Sequence, residues 1–189
     1  TIYYFVDHTC KYSSNSGIQR VVRSLAKSLI KNGLKLVPVN WDDINMKFYS
    51  VSEDEKLLLS KWNGPNIEHW TDFAEPIKIE NTDWLLVPEL TLNQTSEILK
   101  YAKKIGLRSA YVFYDAIPWK MKDIYSQEAS KVHKKYMEDL NECEIIFPIT
   151  KYSEFDLTSF LGTSKLHTPL LEERIKACVL PGEFLEKSR

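Results

Sequence analysis

The 189-residue chain has a formal net charge of −1, with 27% charged and 43% hydrophobic side chains, the balance of one soluble globular domain with a substantial core. The near-neutral charge gives no global reason to expect nucleic acid as a partner, and no run has the length of a membrane-spanning helix or a signal-peptide pattern. Cys10, Cys143 and Cys178, an odd number at wide spacing, fit reduced, buried or incidental thiols of a cytosolic protein better than a disulfide framework.

Ile2-Tyr3-Tyr4-Phe5-Val6-Asp7 reads as a short buried strand rich in β-formers. A polar loop ends in Ser16-Gly17. Ile18, Val21, Val22, Leu25 and Leu29 then recur at helical spacing as far as Gly33, which stands where a helix C-terminal glycine belongs. A strand over residues 36–40 completes the opening unit of an α/β domain with a parallel sheet. Residues 41–49 read as irregular, with a short strand at 47–51. Ser52 and Glu55 match a capping box that opens a helix through Trp62, and Asn63-Gly64-Pro65 stops it. From there to Asn81 the pattern is a long loop marked by Trp70, Phe73 and Pro76. Aromatic residues in such a loop either bind a ligand or cover the core.

Regularity returns with an apolar strand over 84–87, ended by Pro88-Glu89. Thr91 and Gln94 then cap a helix whose Ile98, Leu99, Ala102 and Ile105 face inward, closed by Gly106. A strand over 108–114 ends at Asp115. A long helix from 125 or 126 to 142 carries Ala129, Val132, Tyr136 and Leu140 on one side. The strand over 144–150 leads to a short helix ending at Leu161, capped by Ser153 with Asp156. A last strand over 175–180 ends at Pro181-Gly182. About six strands alternating with helices predict a doubly wound, Rossmann-like, mostly parallel sheet with helices on both faces, formed by the whole chain.

In an open parallel sheet, ligands bind beyond the carboxyl ends of the strands. That rule selects Asp7 and His8, Pro88 and Glu89, Tyr114 and Asp115, and Thr150. Ser16, Gly17 and Arg20 join them at the first helix N-terminus, whose unpaired N–H groups suit a phosphate. Plainer alternatives stand beside these. Gly17 either provides a turn or admits a ligand close to the backbone. Arg20, Arg23, Lys27 and Lys31 form a stripe away from Leu25, a solvated face by default, with Arg20 nearest the loop. Asp115 either caps the turn into Ala116-Ile117-Pro118 or acts in the cleft. Ser153 is explained as a helix cap.

Other chemistries find no support. There is no G-x-G-x-x-G, no G-x-x-x-x-G-K-[ST], no G-x-S-x-G and no C-x-x-C. His8, His69, His133 and His167 lack metal-ligand spacing. Asp42-Asp43 are adjacent in a loop, and Asn93-Gln94-Thr95 matches a glycosylation sequon by chance. Lys131, Lys134 and Lys135 form a solvated face that, with Lys120 and Lys122, offers a weak basis for contact with an anionic membrane surface.

Ser16-Gly17-Ile18-Gln19-Arg20-Val21-Val22-Arg23, following a strand that ends in Asp7, resembles the start of retaining glycosyltransferases of the GT-B fold. The likeness is narrower still to the bacterial mannosyltransferase-like branch that builds O-antigen and related surface polysaccharides. Val112-Phe113-Tyr114-Asp115-Ala116-Ile117-Pro118 resembles that branch's His-Asp-x-Ile-Pro turn. Ile149-Thr150, Ser153 and Asp156-Leu157 match its helix–strand signature, and Val179-Leu180-Pro181-Gly182-Glu183-Phe184 resembles the turn toward an interdomain linker. Four pieces in order span nearly the whole chain.

The resemblance implies transfer of a sugar from a nucleotide-sugar donor to a glycan or lipid-linked glycan acceptor, with retention and without a metal ion or cofactor. It implies a cytoplasmic location, with contact to the inner face of the membrane as a further option. Asp115 would be the catalytic residue. Ser16, Gly17, Arg20, Glu89, Tyr114 and Thr150 would bind substrate, and the Trp62 to Phe73 loop joins Glu89 in acceptor recognition. Two departures stand out. Tyr114 replaces the histidine of the turn, and the likeness covers only the amino-terminal half of such an enzyme. The donor-binding domain would then follow Arg189 or belong to a separate subunit. The alternative function is a non-catalytic Rossmann-like module that binds a glycan or a partner.

Overall fold

The computed structural model describes residues 1–74, 78–163 and 171–180. Pro76, His167 and the turn of Pro181, Gly182, Glu183 and Phe184 lie outside the described residues. Six strands form one sheet: β1 (Ile2–Phe5), β2 (Leu36–Asp42), β3 (Lys47–Ser50), β4 (Trp84–Val87), β5 (Arg108–Phe113) and β6 (Ile145–Pro148). Their order is β3-β2-β1-β4-β5-β6, and every pairing is parallel except the β2–β3 hairpin. β1 is central, with Tyr3 registered against Val37 on one side and Leu85 on the other. The helices are α1 (Gly17–Lys31), α2 (Glu53–Ser60), α3 (Thr95–Lys104), α4 (Ile117–Lys120), α5 (Gln127–Asp139), α6 (Lys151–Thr163) and α7 (Leu171–Arg174). The fold is α/β and Rossmann-like.

Strand side chains alternate between two cores because the β repeat is two residues. Tyr3, Phe5, Leu85, Val87, Tyr111 and Phe113 meet α3, α5 and α6 on one face. Tyr4, Val6 and Leu86 meet Val22 and Ala26 of α1 and Leu59 of α2 on the other. Each of the Val, Leu and Phe side chains contributes about 1.5–3 kcal/mol when buried. The β2–β3 hairpin is fastened to α3 by edge-to-face rings, Trp41–Phe48 at 5.5 Å, Trp41–Tyr101 at 5.8 Å and Phe48–Tyr101 at 5.2 Å. The Asp42 carboxylate accepts from the amides of Ile44 and Asn45 and closes the hairpin turn, so residues 41 and 42 extend β2 and are not irregular.

Several expected elements are present as read. Ser52 and Glu55 complete the capping box of α2, and the long helix expected from 125 or 126 is α5, which Ser126 proves to cap. Other details differ. α1 buries Val22 of the expected Ile18, Val21, Val22, Leu25 and Leu29 stripe, with Ile18, Leu25 and Leu29 partly buried against the core, and it buries Gln19, Arg23 and Ala26 as well, Arg23 reaching Leu58 of α2. In α5 the buried side chains are Ser130, His133, Tyr136 and Met137, one position along from Ala129 and Val132. Thr91 does not cap α3. A 3-10 turn over Leu92–Gln94 intervenes, and the Thr91 and Thr95 hydroxyls bond each other at 2.7 Å. α6 starts two residues before Ser153, with the Thr150 hydroxyl accepting from the Ser153 amide at 3.0 Å, so Thr150 takes the capping role expected of Ser153. The last expected strand is a single bridge, Ile175 to Ile146. The chain beyond it still follows β6, with Lys176 and Cys178 donating to Ile146 and Pro148.

The largest departure is Arg23. It is 1% exposed, the opposite of the solvated stripe that its spacing suggests. Its guanidinium donates to the carbonyls of Tyr12, Ser14 and Leu58 and to the Asn15 side-chain oxygen, at 3.0–3.4 Å. A buried cation is tolerated because these dipoles replace its water. Arg23→Met keeps the apolar stem but strands those carbonyls, and a loss of about 3 kcal/mol is expected in urea unfolding. A loss below about 1 kcal/mol would show that water, not Arg23, satisfies them.

Candidate functional site at the carboxyl edge of the sheet

β1 and β4 are parallel neighbours, yet the chain leaves them for opposite faces, to α1 after β1 and to α3 after β4. This divergence opens a crevice at the carboxyl ends of the two strands, where α/β sheets bind ligands. Glu89, two residues beyond β4, fills its floor and is 3% exposed. One carboxylate oxygen accepts from the His8 amide at 2.8 Å, and the other from the Thr9 amide at 2.7 Å. Burial pushes the Glu89 pKa up to about 7, against the pull of these N–H donors, and the Asp7 charge adds to the rise. With both oxygens occupied by backbone, Glu89 holds the β1–α1 loop and does not reach outward to a substrate.

The rest of that loop is equally tied. Asp7 accepts from the Lys11 ammonium at 2.7 Å and the Trp41 amide at 3.3 Å. Arg23 takes the carbonyls of Tyr12 and Ser14, and the Trp62 indole takes that of Ser13 at 2.8 Å. The loop ends at Ser16, whose hydroxyl accepts from the Gln19 amide while Gln19 accepts from the Ser16 amide at 2.9 Å. Ser16 is therefore engaged as the α1 cap. Gly17 opens the helix, is exposed, and a Cβ there would meet nothing within 4 Å. Its backbone needs no left-handed conformation, so no turn requires a glycine. Arg20 lies one turn along α1 and is exposed. His8 is exposed beside Tyr12, with ring centroids 4.7 Å apart.

At the ends of β5 and β6 the Tyr114 hydroxyl donates to the Pro88 carbonyl at 2.7 Å, joining this half of the edge to the Glu89 segment. Burial, with Glu89 nearby, raises the Tyr114 pKa. Asp115 is half-buried, and one oxygen accepts from the Ile117 amide at 2.9 Å, capping α4. His133 of α5 donates from Nε2 to the Asp115 carbonyl at 2.9 Å, and burial lowers its pKa so that the neutral ring is favoured. The Ser153 hydroxyl donates to the Tyr114 carbonyl at 2.7 Å. Lys120 of α4 binds Asp156 of α6 at 2.8 and 3.0 Å, and also the Tyr152 hydroxyl. Tyr114 and Asp115 are thus clamped from Pro88, α5 and α6.

The seven residues to which the resemblance gives a catalytic or substrate-binding role all fall on this edge, in two groups. Glu89 and Tyr114 are joined through the Pro88–Glu89 segment, Asp115 follows Tyr114 in the chain, and Thr150 reaches Tyr114 through its carbonyl partner Ser153. Ser16, Gly17 and Arg20 belong to the α1 end. Missed in the sequence were Arg23 and His133, which position the loop and the Asp115 turn, and the Lys120–Asp156 pair. Their one signal was spacing. Lys120 and Asp156 flank the Ile-Pro turn and the α6 start, but nothing local marks two distant residues as partners. Among the described residues no cluster of three His, Cys, Asp or Glu side chains is arranged to hold a metal ion. Among them, too, no helix is long and apolar enough to cross a membrane. Cys10 and Cys143 are free and buried, and Cys178 is free and exposed. No family model matches the chain, and searches of curated proteins and of solved structures found no match to it.

Glu89 gives a pH-dependent outcome. Its folded pKa, about 7, lies above the unfolded value of 4.5, so the folded state holds the proton more tightly. Stability from this group is full below pH 4.5 and is lost as pH rises through 7, by an amount on the order of 3 kcal/mol. The stability advantage of the native protein over Glu89→Gln should therefore shrink between pH 5 and pH 8 in urea unfolding. An advantage that is constant across that range would place the Glu89 titration elsewhere.

Proposed function

We propose that this chain is the acceptor-side domain of a retaining GT-B glycosyltransferase, moving a sugar from a nucleotide-sugar donor to a glycan or lipid-linked acceptor in surface-polysaccharide synthesis. The observation that carries the reading is the pairing, on one sheet edge, of an open α1 N-terminus at Gly17 with the clamped Tyr114–Asp115 turn. In such a transfer the bond between the sugar C1 and the diphosphate oxygen breaks, and negative charge grows on the leaving group. Unpaired N–H groups and the dipole at the start of α1 would stabilise that charge, with Arg20 as a cationic contact. Gly17 would let the diphosphate approach the backbone. Asp115 would line the cleft beside the reacting sugar or the acceptor hydroxyl. Ser16 and Thr150 act as caps that hold α1 and α6 at the rim, and Glu89 acts through the loop that it fixes.

The donor half of the cleft would come from a second domain or subunit, so the chain by itself should turn over poorly. The work would be cytoplasmic, with a lipid-linked acceptor met at the inner face of the membrane.

The test uses the native gene product with labelled GDP-, UDP- and ADP-sugars and lipid-linked glycan from the source cells. Transfer is expected. Asp115→Asn should lower it by about 100-fold. Gly17→Ala, for which the structure has room, should keep the native Tm and still lose at least about tenfold through obstruction of the donor. Absence of transfer from every donor would sink the reading and favour a glycan- or partner-binding module.

A further inference from the structure

Between α2 and β4 the aromatic residues have different fates. Trp70 is buried against Tyr4, ring centroids 6.0 Å apart, and Phe73 packs on the core of the α3 face. Trp62 is 60% exposed. It is also held in place by devices that an incidental surface residue would not need. Trp62 and Asn63 have φ of +55° and +65°, two successive side chains in the left-handed region that L residues avoid. The next residue, Gly64, is required, because a Cβ there would lie 2.0 Å from the Leu59 carbonyl oxygen. The Trp62 indole N–H donates to Ser13 at 2.8 Å, and Lys27 of α1 donates to the Asn63 carbonyl at 3.2 Å and to its side-chain oxygen. Beside Ser13 in the chain, Tyr12 is 53% exposed, its ring tilted against His8.

We propose that Trp62, with Tyr12 on the adjoining loop, is a stacking platform for a pyranose ring of the glycan acceptor, an assignment that rests on the sugar-directed reading above. The indole N–H is spent on Ser13, so what remains for a ligand is the apolar ring. Its electron-rich face attracts the weakly positive C–H groups on one side of a sugar. Backbone strain of this kind persists only where the surrounding structure over-determines it, as the Ser13 and Lys27 bonds do here. The platform is fastened to the β1–α1 loop, the same loop that leads to Ser16 and Gly17 at the start of α1.

The test is saturation-transfer NMR and intrinsic fluorescence on the 189-residue chain with linear tetrasaccharides of mannose, glucose, galactose and rhamnose. At least one should bind. Trp62→Ala should weaken it tenfold or more, about 1.4 kcal/mol, while Trp62→Phe, which keeps a ring, should stay within about threefold. Tyr12→Ala, which leaves the residues of the strained turn unchanged, should also weaken binding and covers the case in which Trp62→Ala misfolds. No binding by any tetrasaccharide, or unchanged affinity in both alanine variants, would overturn the platform. The two readings fail separately. Sugar binding through Trp62 without transfer by the native gene product would remove the transferase and keep the platform. Transfer with an acceptor KM indifferent to Trp62→Ala would do the reverse.

Discussion

A buried carboxylate beneath two backbone amides is the contact on which the functional edge depends. The sheet crossover between β1 and β4 sends the chain to opposite faces and leaves a crevice that no helix fills. Glu89 occupies that crevice from the β4 side and grips His8 and Thr9 from the β1 side. Two strands that would otherwise diverge are thereby joined beyond their last ladder hydrogen bond. The position of α1 follows, because Ser16, Gly17 and the helix start hang from the same loop. Tyr114 extends the brace one strand further through the Pro88 carbonyl.

The loop also separates two buried charges of opposite sign. Glu89 lies under residues 8 and 9, where N–H groups point toward it, and Arg23 lies under residues 12 to 15, where carbonyl and amide oxygens point toward it. Neither charge relies on a direct ion pair for these contacts. The backbone dipoles of the loop serve as the solvent that both have lost, as buried charges require. Shifting the loop would expose one charge to an apolar interior, so its conformation is fixed before any ligand arrives. That rigidity is a form of preorganisation, which binding rewards because less entropy is lost on association.

Legibility in the sequence followed the range of the interactions. The strand–helix alternation and the Ser52–Glu55 box are local patterns, and each is in the structure. The rule that ligands bind at carboxyl ends brought Asp7, Glu89, Tyr114, Asp115 and Thr150 to one edge without any motif. Helix faces were less legible. In α1 the apolar stripe packs on the core through Val22, Ile18, Leu25 and Leu29, but the buried face extends to Arg23, whose guanidinium bonds α2, a contact that periodicity does not show. The strand over 175–180 reduced to one bridge, since propensity describes a strand's suitability and not whether an edge will pair with it. Polar partnerships across 30 or more positions, such as Lys120 with Asp156 or Arg23 with Leu58, leave no trace in local sequence.

The exposed indole of Trp62 makes sense only against this rigid background. An aromatic ring on a mobile loop would lose much of its stacking energy to ordering when a ligand bound. Here the ring is tied to Ser13, whose neighbours on both sides are tied to Arg23, which is itself tied to α2 at Leu58. The chain of contacts closes on itself, because α2 leads directly into the turn that carries Trp62. A buried cation, a fixed loop and a strained turn therefore form one unit, with the ring as its outward face. A substitution that loosens Arg23 should therefore disturb Trp62 as well as lower the stability of the fold, since the ring depends on every link in this chain of contacts.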